Sequence, residues 1–313
     1  GSLKGATLSH KNIINNAVSC AKAMNLTHYD RVCIPVPLYH CFGMVLGTLA
    51  CCAAGATMIY PSEGFEPDKT MHALKSESCT AVHGVPTMFS AMLASSEFNG
   101  KPIKSLRTGI MAGSQCPEVL MRRVLYDLGC SEITIAYGMT ETSPISFQSD
   151  VNDPVDVRVS TVGRIQPHCE VKIVEDDGST CAVGQTGELW TKGYLVMKGY
   201  WNDTEATQSS IENGWMKTGD LATIDNEGFC RIVGRKKDMV IRGGENIYPA
   251  ELEEFLTGQK GILEAHVFGI PDEKFGEQLV AWIIVEEGAA LDETSIQNLC
   301  KNALAYYKVP AIV

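Results

Sequence analysis

Four short clusters in this chain carry side chains able to work on a phosphorylated ligand. Thr140 and Glu141 close the run Tyr137-Gly138-Met139-Thr140-Glu141, directly behind the apolar stretch Ile133-Thr134-Ile135-Ala136. A glycine lets backbone approach a ligand, a hydroxyl can donate to a phosphate oxygen, and an adjacent carboxylate can hold Mg²⁺. The same letters also describe a loop entering a helix with Thr140 as its cap. Asp220 ends Thr218-Gly219-Asp220, where a carboxylate can accept both hydroxyls of a ribose or can simply turn the chain. Gly234-Arg235-Lys236-Lys237-Asp238 gathers three basic residues, enough to serve ribose, phosphate or a hinge. Gly243-Gly244 precedes a helix start at Pro249, and a hairpin turn alone would explain the pair.

These clusters need a scaffold, and the first 150 residues supply an alternation. Helical patterns at 10–25, 43–54, 67–77, 87–95 and 117–129 separate apolar strands at 32–36, 56–60, 80–83, 107–112 and 132–136. Strands divided by helices of about ten residues imply βαβ units, hence a parallel sheet flanked by helices. Ligands of such sheets bind beyond the carboxyl ends of the strands, which points to the loops after 112 and 136. From Val162 to Val233 the pattern changes to short runs broken by turns such as Asp176-Asp177-Gly178 and Asp225-Asn226-Glu227-Gly228, an antiparallel β subdomain. A mixed pattern follows, with strands at 263–270 and 278–286 and a helix at 293–305. The expected fold class is α/β: a parallel sheet with flanking helices in 1–155, a β-rich subdomain of the same domain in 156–236, and a small α+β domain in 237–313.

Composition narrows the function classes. Lys plus Arg number 26 against 37 Asp plus Glu, a net charge of −11. Without a basic run, this balance argues against a protein built to grip nucleic acid. The 31 residues 32–62 contain no Asp, Glu, Lys or Arg. Pro35, Pro37, Gly43, Gly47 and Gly55 cut that stretch into pieces shorter than the ~20 apolar residues a bilayer span requires. The twelve cysteines show no Cys-x-x-Cys and sit mostly in apolar runs, so they read as buried thiols in a reducing compartment rather than zinc ligands or disulfides. No Gly-x-Gly-x-x-Gly follows any strand, which opposes a dinucleotide oxidoreductase.

In this order and at these intervals, the four clusters resemble those of the adenylate-forming enzymes: acyl-CoA synthetases, firefly luciferases and nonribosomal-peptide adenylation domains. Pro37-Leu38-Tyr39-His40-Cys41-Phe42-Gly43, residues 136–144 and residues 241–251 resemble the medium-chain fatty acyl-CoA synthetases in particular. The resemblance implies an AMP-forming acid–thiol ligase that converts a fatty acid, ATP and coenzyme A to acyl-CoA, AMP and pyrophosphate through an acyl-adenylate. It implies Mg²⁺ on Glu141 and an α-phosphate contact from Thr140. Tyr137, with Gly138 and Met139, and the segment Gly113-Ser114-Gln115 would flank adenine, while Asp220 and Arg235 grip the ribose. It makes His40 a gate between acyl tunnel and nucleotide, against the alternative of a packed core histidine. Lys237 falls at the family's hinge, and Gly243 and Gly244 at its pantetheine passage.

The ends depart from the family pattern. Gly1-Ser2-Leu3-Lys4-Gly5 resembles the tail of the phosphate-binding loop, with Leu for Pro and Lys4 as its basic residue. The family's distal lysine falls beyond Tyr307-Lys308-Val309-Pro310. The chain therefore reads as a fragment, expected to bind AMP weakly and to form no acyl-CoA by itself. An aryl- or other carboxylate-CoA ligase and a carrier-protein adenylation domain are alternatives within the class; a non-catalytic nucleotide-binding remnant is the alternative outside it. Expected partners are small molecules, with no nucleic acid and no membrane span. The expected location is the cytoplasm, or alternatively the mitochondrial matrix.

Overall fold

The computed structural model describes residues 4–114, 116–286 and 288–313, which divide into two compact units. Of the described residues, the first unit holds those within 4–185, 189–218 and 224–231, and the second those within 186–188, 219–223 and 232–313.

A seven-stranded sheet organises the first unit, in the order Thr57–Ile59, Arg31–Cys33, Ala81–Gly84, Thr108–Ala112, Glu132–Gly138, Ile145–Gln148, Arg164–Ile165. The first five strands run parallel and the last two pair antiparallel. Strand side chains alternate between faces. Val32, Ala81, Ile110 and Ala136 thus enter one apolar cluster with Ala17, Cys20 and Val45, while Cys33, Val82, Met111 and Ile135 enter another with Leu74, Phe89 and Met121. Burial on both faces is why these strands read as continuous apolar runs rather than alternating ones. The helices start where the sequence places start signals. Ser9 and Asn12 form a reciprocal cap on His10–Ala23, and Pro67 and Pro86 open Pro67–Ser76 and Pro86–Ala94.

Two expectations need correction. The helix expected at 43–54 is a π-helical stretch, Phe42–Leu49, continued by the α-helix Ala50–Ala54. The Thr48 hydroxyl donates to the carbonyl of Gly43, five residues back, at 3.2 Å. A Cβ on Gly43 would lie 2.3 Å from the Pro37 carbonyl oxygen, so only glycine fits this turn. Second, the parallel sheet does not end at residue 136. Ile145–Gln148 joins it as an antiparallel strand because Asn16, buried on the first helix, donates to the Ile145 carbonyl at 2.7 Å and accepts its N–H at 3.0 Å. That pairing is long-range and leaves no local mark in the sequence.

At the amino end of the sheet Asp30 is buried and accepts from Arg107 at 2.9 Å, while Arg107 also meets Glu132 at 2.6 Å. Burial alone would raise the Asp30 carboxyl; the Thr80 hydroxyl, Arg107 and the Thr27 N–H overcome it and hold the group below its ordinary value. A carboxyl depressed by folding stabilises the fold above its unfolded pKa of about 4 and loses that contribution as pH falls toward the folded value. Arg107→Met should therefore lower the thermal midpoint at pH 7 by about 5 °C, from roughly 2 kcal/mol of lost charged hydrogen bonding. The gap from wild type should begin to narrow as pH falls below about 4 and close only as pH passes the lower folded value, where Asp30 becomes neutral. A gap independent of pH would show that packing, not the charge pair, carries the effect.

The strands Cys169–Val174, Gly187–Gly193, Ile211–Glu212, Trp215–Ile224 and Cys230–Arg235 form a five-stranded sheet. In the second unit Glu245–Ile247, Val240–Arg242, Gly276–Val285 and Ile262–Asp272 make a four-stranded antiparallel sheet. The helices Pro249–Thr257 and Glu293–Ala303 cover it, burying Leu252, Leu256, Ile296 and Cys300 against Val267, Leu279 and Ala281.

Candidate nucleotide site

Parallel register sets the first unit's cluster. Ala112 pairs with Ala136, so Gly113 and Ser114, both exposed, leave their strand beside Tyr137. Gly113 turns away with φ +93°, a conformation glycine adopts without strain. The neighbouring strand runs on to Gly138 and slips register there. A Cβ on Gly138 would sit 1.8 Å from the Pro144 carbonyl oxygen. Gly138→Ala must therefore push the two segments apart; the expected result is a thermal midpoint lower by about 5 °C and weakened AMP affinity, measured by melting and calorimetry. An unchanged midpoint would mean the close approach is not obligatory.

The loop beyond is held by its own backbone. The Met139 N–H donates to the Pro144 carbonyl at 2.9 Å and to the Thr142 hydroxyl at 3.1 Å, and the Ser143 hydroxyl donates to the Leu195 carbonyl at 2.6 Å. Residues Thr140–Thr142 form a single 3₁₀ turn, not the start of a helix, and Thr140 caps nothing. With Thr142 and Ser143 turned inward and buried, Thr140 is left exposed and Glu141 half-buried at the tip.

Glu141 is anchored twice. Its carbonyl accepts from the Met197 N–H at 2.8 Å, and its Oε1 accepts from the Tyr200 hydroxyl at 2.7 Å. Burial, then the neighbouring carboxylate, pushes the Tyr200 phenol up to about 12, so it stays a donor. Lys4 lies exposed with its ammonium 5.0 Å from the Tyr200 ring centre. Sequence reading missed Tyr200. Its only local signal was the aromatic pair Tyr200-Trp201 between turn residues, which names no chemistry.

Among the described residues, no group of three or more His, Cys, Asp or Glu could hold a metal ion. A lone carboxylate beside a hydroxyl fits instead a hard cation that keeps water and takes substrate phosphates as ligands, which is the habit of Mg²⁺.

His40 is exposed rather than packed in the core, and its Nδ1 accepts the Phe42 N–H at 3.1 Å. Next to it Cys41 is buried, with Sγ 3.6 Å from the Thr140 hydroxyl; burial pushes that thiol up, so it stays protonated. His40 is thereby brought to the 137–141 loop through its neighbour. No disulfide joins any of the twelve cysteines. A groove of about 730 Å³ beside Met58–Pro61, lined also by Lys69, His72 and Glu97, shares no residue with the cluster.

The remaining expected residues fall in the second unit. Asp220 is nine-tenths buried, and Arg235 reaches it at 3.3 Å while its own side chain stays largely exposed. Lys236 pairs with Glu188 at 3.4 Å, and Lys237 is exposed within the 3₁₀ turn Lys236–Asp238. Gly243 and Gly244, with φ +61° and +89°, form the two-residue turn joining Val240–Arg242 to Glu245–Ile247. Positive φ at both positions is what a tight hairpin demands. The turn accounts for the glycine pair by itself. Gln115 lies outside the described residues.

Residues 1–201 match the AMP-binding enzyme family, and residues 251–313 match the AMP-binding enzyme C-terminal domain. The chain is 50% identical to a putative acyl-CoA synthetase, YngI, of Bacillus subtilis, over 99% of this chain and 57% of that protein. It is 44% identical to the mitochondrial medium-chain acyl-CoA ligase ACSF2 of Danio rerio, over 100% of this chain and 52% of that protein. The chain thus spans about half the length of the curated relatives it matches. Among solved structures it resembles ATP-bound MatB of Rhodopseudomonas palustris, with TM-score 0.93, 30% identity and coverage of 100% of this chain and 61% of that one. It also resembles the Bacillus subtilis o-succinylbenzoate coenzyme A synthetase MenE in complex with ATP and magnesium, with TM-score 0.87, 32% identity and coverage of 99% and 62%.

Proposed function

The chain belongs to the AMP-binding enzyme family, and on that footing we propose that it is the nucleotide-handling part of an AMP-forming acyl-CoA synthetase acting on medium-chain fatty acids. The observation that carries this reading is the exposed Thr140 hydroxyl beside a Glu141 carboxylate fixed by Tyr200, at the carboxyl end of a parallel sheet. The acid's carboxylate attacks the α-phosphorus of ATP and pyrophosphate leaves; the coenzyme A thiol then displaces AMP from the acyl-adenylate. Mg²⁺, held through Glu141, would neutralise charge on the phosphates as the pyrophosphate departs.

In this reading Thr140 donates to the α-phosphate, Lys4 contributes positive charge, and Tyr137, Gly138, Met139 and the 113–115 segment bound adenine. Asp220 accepts the ribose hydroxyls, with Arg235 orienting its carboxylate. His40 gates the acyl entry, Lys237 is the pivot for 237–313, and the Gly243-Gly244 turn gives pantetheine a path without side chains. The zebrafish relative's name supports medium-chain acids and a mitochondrial location; buried thiols suit that matrix or the cytoplasm equally. The test is calorimetry with AMP, paired with a pyrophosphate assay over a series of fatty and aromatic acids using the protein in its full natural length. AMP binding with pyrophosphate release that peaks at C8–C12 acids supports the proposal. Release peaking on aromatic acids moves the substrate to the aryl class, and AMP binding without release on any acid leaves only a nucleotide-binding protein.

A further inference from the structure

Tyr200 belongs to none of the clusters singled out by residue type, yet it touches the carboxylate on which the metal reading depends. Its hydroxyl donates to Glu141 Oε1 at 2.7 Å. The chain around it bonds in two directions. Met197 donates its N–H to the Glu141 carbonyl at 2.8 Å, while Lys198 and Trp201 donate theirs to the carbonyls of Thr7 and Gly5 at 2.9 and 2.7 Å. Ala6–Thr7 and Gly199–Tyr200 pair as antiparallel strands, which holds Lys4 over the Tyr200 ring.

We infer that Tyr200 is a positioning residue for cation binding: it commits one oxygen of Glu141 to a hydrogen bond, leaves the other for the cation, and ties that carboxylate to the segment bearing Lys4. The inference rests on the nucleotide site proposed above. A glutamate side chain is long and flexible, and freezing it at the moment of binding costs conformational entropy. A phenol bond in the free protein removes part of that cost beforehand. A carboxylate offering a single oxygen also matches Mg²⁺, which keeps a tight octahedral shell; a two-oxygen grip favours the larger Ca²⁺. Partners that orient metal ligands in this way commonly change metal affinity by about 10–100-fold when removed.

The test is Tyr200→Phe, which keeps the ring beneath Lys4 and deletes only the donor. In the full-length protein, affinity for ATP with Mg²⁺ should fall about tenfold, while affinity for AMP without metal stays within about twofold. The Mg²⁺ concentration for half-maximal pyrophosphate release should rise, with a smaller change at saturating Mg²⁺. In a Glu141→Gln background the same substitution should add almost nothing to the Mg²⁺ dependence, since the carboxylate charge that the phenol positions for the cation is already gone, although the glutamine carbonyl still accepts the bond. Equal losses for AMP and for ATP with Mg²⁺ would show that Tyr200 only props the loop, and unchanged affinities would show that the bond is idle; either result overturns the inference. Wild-type ATP binding that ignores Mg²⁺ overturns the metal reading of Glu141 itself, and the inference with it.

Discussion

Glu141→Gln should slow pyrophosphate release by about 10²–10³-fold while leaving the thermal midpoint within about 2 °C of wild type. The substitution preserves size. A glutamine carbonyl can still accept the Tyr200 hydroxyl, and the backbone bond from Met197 is untouched. What disappears is the negative charge that a cation needs, at a tip where Thr140 is the neighbouring exposed polar group. Loss of one charge-stabilising group around a transferring phosphoryl centre costs rate rather than fold, because the group's work is done in the transition state. Pyrophosphate release at the wild-type rate would remove Glu141 from the chemistry. A collapse of the midpoint would instead recast it as a structural anchor.

The second large effect is a separation of the two half-reactions. Lys237→Pro should leave pyrophosphate release within about threefold of wild type yet reduce thioester formation by about 10²-fold or more, if residues 237–313 must swing between the steps. Lys237 sits exposed in the short turn between Cys230–Arg235 and Val240–Arg242. Proline locks φ near −65°, removes a donor and bars the preceding residue from helical conformations. Those are local restraints on a pivot and touch no nucleotide contact. Rapid-quench measurement of acyl-adenylate and acyl-CoA on the same sample reads both steps. Parallel losses in the two would place Lys237 in the site rather than at a hinge.

Much of the scaffold was legible because its causes are local. Pro67 and Pro249 mark helix starts, and the short apolar runs at 80–83, 107–112 and 132–136, divided by helical patterns, read as strands of a parallel sheet buried on both faces. Residue type marked Thr140, Glu141, Asp220 and Arg235 as candidates for phosphate and ribose while leaving a capping threonine and a turn aspartate open, and the family resemblance chose between those readings. The strand Ile145–Gln148 stayed hidden because Asn16, 129 residues away, holds it in place. The π-helical stretch stayed hidden because the need for Gly43 comes from Pro37 in the folded chain.

The sequence by itself determined the parallel-sheet architecture and the approximate strand ends where a ligand would sit, and it offered Thr140-Glu141 as the candidate phosphate-facing pair. Periodicity and side-chain chemistry need only neighbours along the chain. Tertiary structure alone decided the local form that the clusters take. It made Gly243-Gly244 a hairpin turn with φ above zero at both positions, and it left His40 exposed instead of packed. It brought Tyr200, 59 positions along the chain, onto Glu141 Oε1. Such a contact is fixed by the pairing of Gly199–Tyr200 with Ala6–Thr7 and by the Met197 bond to the loop. Those backbone hydrogen bonds are available to almost any residue type, so no pattern of letters could have announced them.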